Sequence, residues 1–361
     1  MSPGKLYVAI TNHGFGHATR ATSVAATVKQ LAPETEVILA TTAPRWLLES
    51  YCNAPFTLRE TALDIGVLQP DSLTMDKAAT LAALKTIEQN QADLVAREAE
   101  FLQSVGVDLV LGDIPPLAAI AAKTADIPCW MMSNFGWDFI YRPWGGEFVE
   151  IADWIANCFA QCDRLFRLPF HEPMSAFTNI TDVGFTGGTP HLSEAELRSR
   201  FHLTAPKDQT ILLTFGGLGL AKIPYESLRY FPDWQFITFD PKAPNLPNLL
   251  KVSDRALRPV DFMPLCGRVV SKPGFSTFSE ACRFDLPIVT VTRDDFAEGP
   301  VLVNALQDYG YHQILTPQEL VEGDWVFLKD EPTPPRQQQT ISKNGNDEIA
   351  EAILDYLQPK A

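Results

Sequence analysis

Short, continuous apolar runs alternate along this chain with longer stretches whose apolar positions recur every three or four residues. Leu6–Thr11, Glu36–Ala40, Asp108–Leu111 and Cys129–Ser133 read as strands. Ala18–Leu31, Pro116–Lys123 and Glu147–Cys162, the last ending near Leu165, read as helices. Lys77–Val105 reads as one long helix with Leu84, Ile87, Leu94, Phe101 and Val105 on a single stripe. Strands that are apolar throughout are buried on both faces, so the alternation predicts parallel sheets with helices on either side, an α/β class.

From Leu168 to Pro190 the pattern gives way to proline, glycine and threonine, the composition of a connector. A second cycle follows it. Strands are predicted at Thr210–Phe215, Gln235–Thr238, Arg268–Ser271 and Ile288–Val291. Helices are predicted at Ser193–Phe201, Tyr225–Tyr230, Ser276–Arg283 and Val301–Tyr309. After the breakers Glu331–Pro335, Asn346 or Asp347 is expected to cap a final helix carrying Ile349, Ile353, Leu354 and Leu357. The expected organisation is a first domain at 1–167, a linker at 168–190, a second domain at 191–335 and a terminal helix at 336–361. Both domains are read as doubly wound and Rossmann-like, facing across a cleft, with ligands beyond the carboxyl ends of the strands.

Composition narrows the function. In 361 residues, 46% apolar and 20% charged, there is enough apolar side chain for two cores, which excludes a disordered or fibrous chain. Acidic residues outnumber basic ones 44 to 29, and a formal charge of −15 repels phosphate backbones, so nucleic acid is not an expected partner. No apolar stretch reaches the roughly 18 residues of a membrane span, and the run after Lys5 is too short for a signal-peptide core, so a cytoplasmic location is expected. The six cysteines show no paired metal-ligand spacing and are read as reduced.

The first strand empties into Asn12-His13-Gly14-Phe15-Gly16-His17 and then a helix. This is not a dinucleotide fingerprint: Thr19 replaces its third glycine, and the second strand ends in Ala40-Thr41-Thr42 without an acid for a ribose. Gly14 and Gly16 allow a sharp turn and open the corner to a ligand. His17 falls at a helix start, where the dipole disfavours an imidazolium, so it is a candidate general base; the alternative is that His13 and His17 only bond to loop backbone. Asp113, which follows the strand Asp108–Leu111 on the same edge, is placed to accept the imidazole N–H; alternatively it is a solvated turn residue.

In the second half, Phe215-Gly216-Gly217-Leu218-Gly219 follows a strand and permits close backbone approach. No GxxxxGK[ST] motif occurs, which disfavours phosphotransfer from ATP. Ser271 to Glu280 (SKPGFSTFSE) reads as strand, glycine turn, two hydroxyl residues and helix, a place where helix N–H groups can hold a diphosphate. An ordinary capped helix is the plainer reading.

Together these pieces resemble glycosyltransferases of the two-lobed GT-B type, such as the peptidoglycan N-acetylglucosaminyl transferase and the plant UDP-sugar transferases. Asn12–Arg20 (NHGFGHATR), Ser133–Tyr141 (SNFGWDFIY), Phe166–Phe177, Thr214–Gly217, Gly274–Ala281 and Arg293–Asn304 are further similar to the amino-terminal, glycosyltransferase-like half of plant L-arabinokinases. The kinase half is absent, so arabinokinase activity is not implied. The resemblance implies a nucleotide-sugar donor, expected to be a UDP-sugar, on the second domain and a small-molecule or glycan acceptor on the first. His17 then matches the general base. Gly274, Phe275, Ser276 and Thr277 match the diphosphate turn, and Glu280 the ribose-binding glutamate. Gly14, Gly16, Gly216, Gly217, Asp295, Glu298 and Asn304 complete the expected donor set, although Glu298-Gly299-Pro300-Val301 replaces the glutamines usual before Asn304. Asn134, Trp137, Asp138 and Arg142 are expected to line the acceptor, Trp137 as a stacking platform or as core. No metal and no cofactor beyond the donor substrate is expected, because helix-end amides neutralise the leaving diphosphate. The expected function is inverting glycosyl transfer. The alternatives are a non-catalytic nucleotide-sugar-binding or regulatory module and, lower, a nucleotide-sugar epimerase.

Overall fold

Strand β4 (Leu109–Asp113) is buried at every position, as a central strand of a covered parallel sheet must be. The computed structural model describes residues 4–69, 75–216, 223–293 and 295–357. Its first sheet also contains β1 (Lys5–Ile10), β2 (Glu36–Ala40), β3 (Thr57–Arg59), β5 (Cys129–Ser133), β6 (Arg164–Arg167) and β7 (Ile180–Asp182). The order is β3-β2-β1-β4-β5-β6-β7, with every neighbour parallel. The second sheet contains β8 (Thr210–Leu213), β9 (Gln235–Thr238), β10 (Leu249–Lys251), β11 (Arg268–Val270), β12 (Ile288–Val291) and β13 (His312–Leu315), in the parallel order β10-β9-β8-β11-β12-β13. Both are therefore doubly wound, and each reverses its winding once, between β1 and β4 and between β8 and β11. Those reversals open a crevice at the carboxyl ends of the two strands concerned.

Residues 4–69, 75–187 and 342–357 form one compact unit around the first sheet, and the described residues of 188–341 form a second around the other. The segment read as a connector contains β7 and contributes to the first unit as far as residue 187. The chain then returns at its end, where the helix Gly345–Leu357 packs on the helix Gly16–Leu31. Asn346 does not cap that helix. It lies inside it, buried, and its side-chain amide accepts from Gly187 N–H at 3.1 Å and donates to Gly187 C=O at 2.9 Å.

Other departures from the pattern have local causes. The long helix expected over Lys77–Val105 is two, Lys77–Gln89 and Gln91–Val105. Asn90 leaves the helical conformation at φ −95°, ψ 8°, and its side chain donates to Thr86 C=O at 2.8 Å. The helix Glu147–Phe159 stops before Leu165, which belongs to β6 and is fully buried. Residues Tyr225–Tyr230 form a 3₁₀ turn rather than an α-helix. All six cysteines are free thiols. Among the described residues no helix is long and apolar enough to cross a membrane.

Candidate active site

The first-unit crevice is built by the loop after β1 and the end of β4, in a register that sets Ile10 beside Asp113. Gly14 turns that loop at φ +63°, with open space where a Cβ would be. The helix then starts at Gly16, and no side chain caps it. His17, on the first turn, is 6% exposed, and its Nδ1 lies 2.8 Å from Asp113 Oδ1. Asp113 is wholly buried. Burial pushes its carboxyl up, but Arg20 and His17 outweigh this and hold it below the usual carboxylate range.

Arg20, one turn beyond His17, is 2% exposed and donates from Nε to Asp113 Oδ2 at 2.7 Å and from Nη2 to Oδ1 at 2.6 Å. Its Nη1 reaches Asn134 Oδ1 at 2.8 Å, and Nη2 reaches Ser133 Oγ at 3.0 Å. A second buried acid, Asp64, accepts from Thr11 Oγ1, from Asn12 N–H at 3.3 Å and from Trp137 Nε1 at 3.0 Å. Its carboxyl is pushed up by burial. His13 accepts at Nδ1 from Val67 N–H at 3.2 Å, and its ring meets Trp137 edge-on at 5.2 Å.

Of the expected acceptor residues, Asn134 joins this network. Trp137 is 1% exposed and stacked on Tyr141 at 5.6 Å, so it backs the imidazole, 6.1 Å from His17, rather than offering an open face to a sugar. Asp138 is buried beside Gly136, where a Cβ would lie 2.2 Å from its Oδ1. Burial raises its carboxyl, and Oδ1 has no hydrogen-bond partner among the described residues. Arg142 lies apart, exposed and paired with Asp153 at 2.8 Å.

In the second unit the loops after β8 and β11 meet: Thr214 N–H donates to Val270 C=O at 3.0 Å, and Gly216, at φ +77°, faces the Lys272 side chain. Gly217 lies outside the described residues. Gly274 is the N-cap of the helix Phe275–Arg283 and, as a glycine, brings no side chain to that cap. Phe275 is buried and anchors the turn, while Ser276 and Thr277 are half-buried. Ser271 is buried, with a hydroxyl lacking a partner among the described residues.

Glu280 is turned inward. At 4% exposure its Oε1 accepts from Gly188 N–H at 2.9 Å, and burial pushes its carboxyl up to about 7. Asp295 is exposed, 3.5 Å from Arg293 Nε, while Glu298 is buried at the start of the helix Glu298–Tyr309. Asn304 is exposed on that helix and is held through Oδ1 by Arg336 Nη2 at 2.9 Å. Among the described residues no cluster of His, Cys, Asp or Glu is arranged to hold a metal ion.

Arg20, Asp64 and Ser133 were not singled out by the sequence reading. The available signal for Arg20 was its place three residues after His17 in a helix otherwise rich in Ala, Thr and Val.

Two doubly wound parallel units define the GT-B fold, and comparison with solved structures agrees. The chain superposes on the glycotransferase of kitacinnamycin with a TM-score of 0.62, covering 99% of this chain and 100% of that one at 14% identity. It matches Arabidopsis thaliana UGT89C1 complexed with UDP at 0.60, covering 99% and 96% at 11% identity. In sequence it is similar to an L-arabinokinase of Arabidopsis thaliana, 33% identical over 328 residues, 88% of this chain. The chain spans 31% of that protein's length. No protein-family model matches it.

Proposed function

We propose that this protein transfers a glycosyl group from a nucleoside-diphosphate sugar, taken as a UDP-sugar, to a hydroxyl acceptor with inversion at the anomeric carbon. The observation that carries this reading is the buried His17–Asp113 pair at the winding reversal of the first sheet. With Nδ1–H donated to Asp113, Nε2 is the basic nitrogen. It takes the acceptor's hydroxyl proton as the oxygen bonds to the anomeric carbon, while the bond from that carbon to the diphosphate oxygen breaks and the nucleoside diphosphate leaves. Asp113 stabilises the imidazolium so formed.

Donor binding is assigned to the second unit, where the turn Ser271–Gly274 leads into a helix start of a kind suited to a diphosphate. The likeness in fold to a transferase complexed with UDP supports the donor class. Ribose reading by Glu280 requires its free oxygen, since Oε1 is engaged by Gly188.

The test is a product assay with UDP-, GDP- and TDP-sugars, with calorimetry on the same donors. Turnover lost in His17→Ala with donor binding retained is the expected result. Full turnover in that variant removes the base. Binding by the unmodified protein without any product favours a non-catalytic sugar-nucleotide module, and donor isomerised without an acceptor favours an epimerase.

A further inference from the structure

One buried charge at the first crevice takes no part in the proton transfer just described. The Arg20 guanidinium spans both oxygens of Asp113 and reaches Ser133 and Asn134 on the neighbouring strand end. Its Nη2 also lies 3.0 Å from His17 Nδ1, where two donors face each other once Nδ1 carries the proton shared with Asp113, so no hydrogen bond is counted there. Five donors in a planar fork suit these contacts.

The charge balance there is tight. Asp113 is 0% exposed, and a lone carboxylate at such depth draws in a proton, either on itself or on the imidazole against it. The other groups around the imidazole are Asp64, from the loop after β3, which burial biases toward its neutral form, and the rings of His13, Phe135 and Trp137. Arg20 is the permanent cation among the described residues in this network.

We infer that Arg20 is a positioning residue whose fixed positive charge balances Asp113, so that the imidazole donates Nδ1–H to an ionised, immobilised carboxylate and keeps Nε2 bare for the acceptor's proton. The inference rests on His17 as the base, yet its test needs no turnover, so the two fail separately.

The experiment is nitrogen-15 NMR of the full chain with labelled histidines, the His17 signals assigned by their loss in His17→Gln, at pH 7. The unmodified protein is expected to show His17 as one tautomer, protonated at Nδ1 and bare at Nε2. Arg20→Lys keeps the charge and is expected to keep that pattern. Arg20→Gln keeps hydrogen-bond donors without charge, and is expected to move the ring at least about tenfold toward the doubly protonated form or the Nε2–H tautomer. An unchanged pattern in Arg20→Gln overturns the inference, as does its absence from the unmodified protein. If Arg20→Gln does not fold, Arg20→Lys decides: retention of the pattern supports the role of charge, and its loss overturns it.

Discussion

At the carboxyl ends of β1 and β4, three ionisable side chains, His17, Arg20 and Asp113, are packed together with almost no solvent contact. At the equivalent ends of β8 and β11 the groups are Gly216, Ser271, Gly274 and the half-buried hydroxyls of Ser276 and Thr277. The two sheets share a strand order through six strands, so topology alone does not decide what a crevice does. The first is filled by its own charges, which the proposed reaction uses to move a proton. The second is lined by backbone, small polar groups and the Lys272 side chain, a lining that suits an oxyanion brought in from outside.

The contrast can be broken at its strongest point. His17→Ala is expected to lower turnover by roughly 10²–10⁴-fold, the usual share of a general base, with donor affinity within about twofold. Equal loss of both in the product assay and calorimetry would merge the two roles.

Asp113→Asn leaves the buried Arg20 uncompensated and is expected to cost about 3–5 kcal/mol in urea unfolding. Because the folded carboxyl titrates low, its contribution is present above the ordinary aspartate value near ~3.9 and is lost as pH falls through the lower folded value. That acid sensitivity should be missing in the variant.

Glu280 in the second unit has the opposite sign. A carboxyl at about 7 when folded and at the ordinary 4.5 when unfolded favours folding in its protonated form, so stability falls as pH rises between those values, by about 3 kcal/mol. Glu280→Gln should flatten that slope while still accepting from Gly188, and should be the more stable form at pH 8.

Two glycine substitutions give the smallest effects. Gly66→Ala places a Cβ 2.5 Å from the His13 Cβ at a residue with φ +59°, and should cost about 1–3 kcal/mol in thermal or urea unfolding. In Gly274→Ala the nearest neighbour of the new Cβ, Lys272 C=O, is 4.0 Å away, so stability should stay within about 0.5 kcal/mol. A measurable loss of UDP affinity in Gly274→Ala, without loss of stability, would locate the diphosphate on that backbone.

The elements meeting at the first crevice were legible because a strand, a glycine-rich turn and a helix start are local patterns, and β1 places Gly14 and His17 by chain order alone. Asp113 was legible for the same reason, as the residue just after an apolar strand, which the structure extends to include it. Arg20 was not, because an arginine inside a helix most often covers its own surface, and only the pairing of β1 with β4 brings a carboxylate to it. The turn into the helix Phe275–Arg283 was read from sequence, but the burial of Glu280 against Gly188 was not, since helical spacing fixes a residue's face and not what that face meets.

By itself, the order of apolar runs and glycine turns determined two parallel α/β units and placed a histidine loop and a hydroxyl-rich turn at strand ends. The pairing of strands that are not consecutive in the chain, and the loops packed around them, decided the rest: which charges meet, that Trp137 is covered, and that Glu280 faces inward. Such pairings join residues about a hundred positions apart, such as His17 and Asp113, and their energy depends on shared burial, a property no single segment possesses.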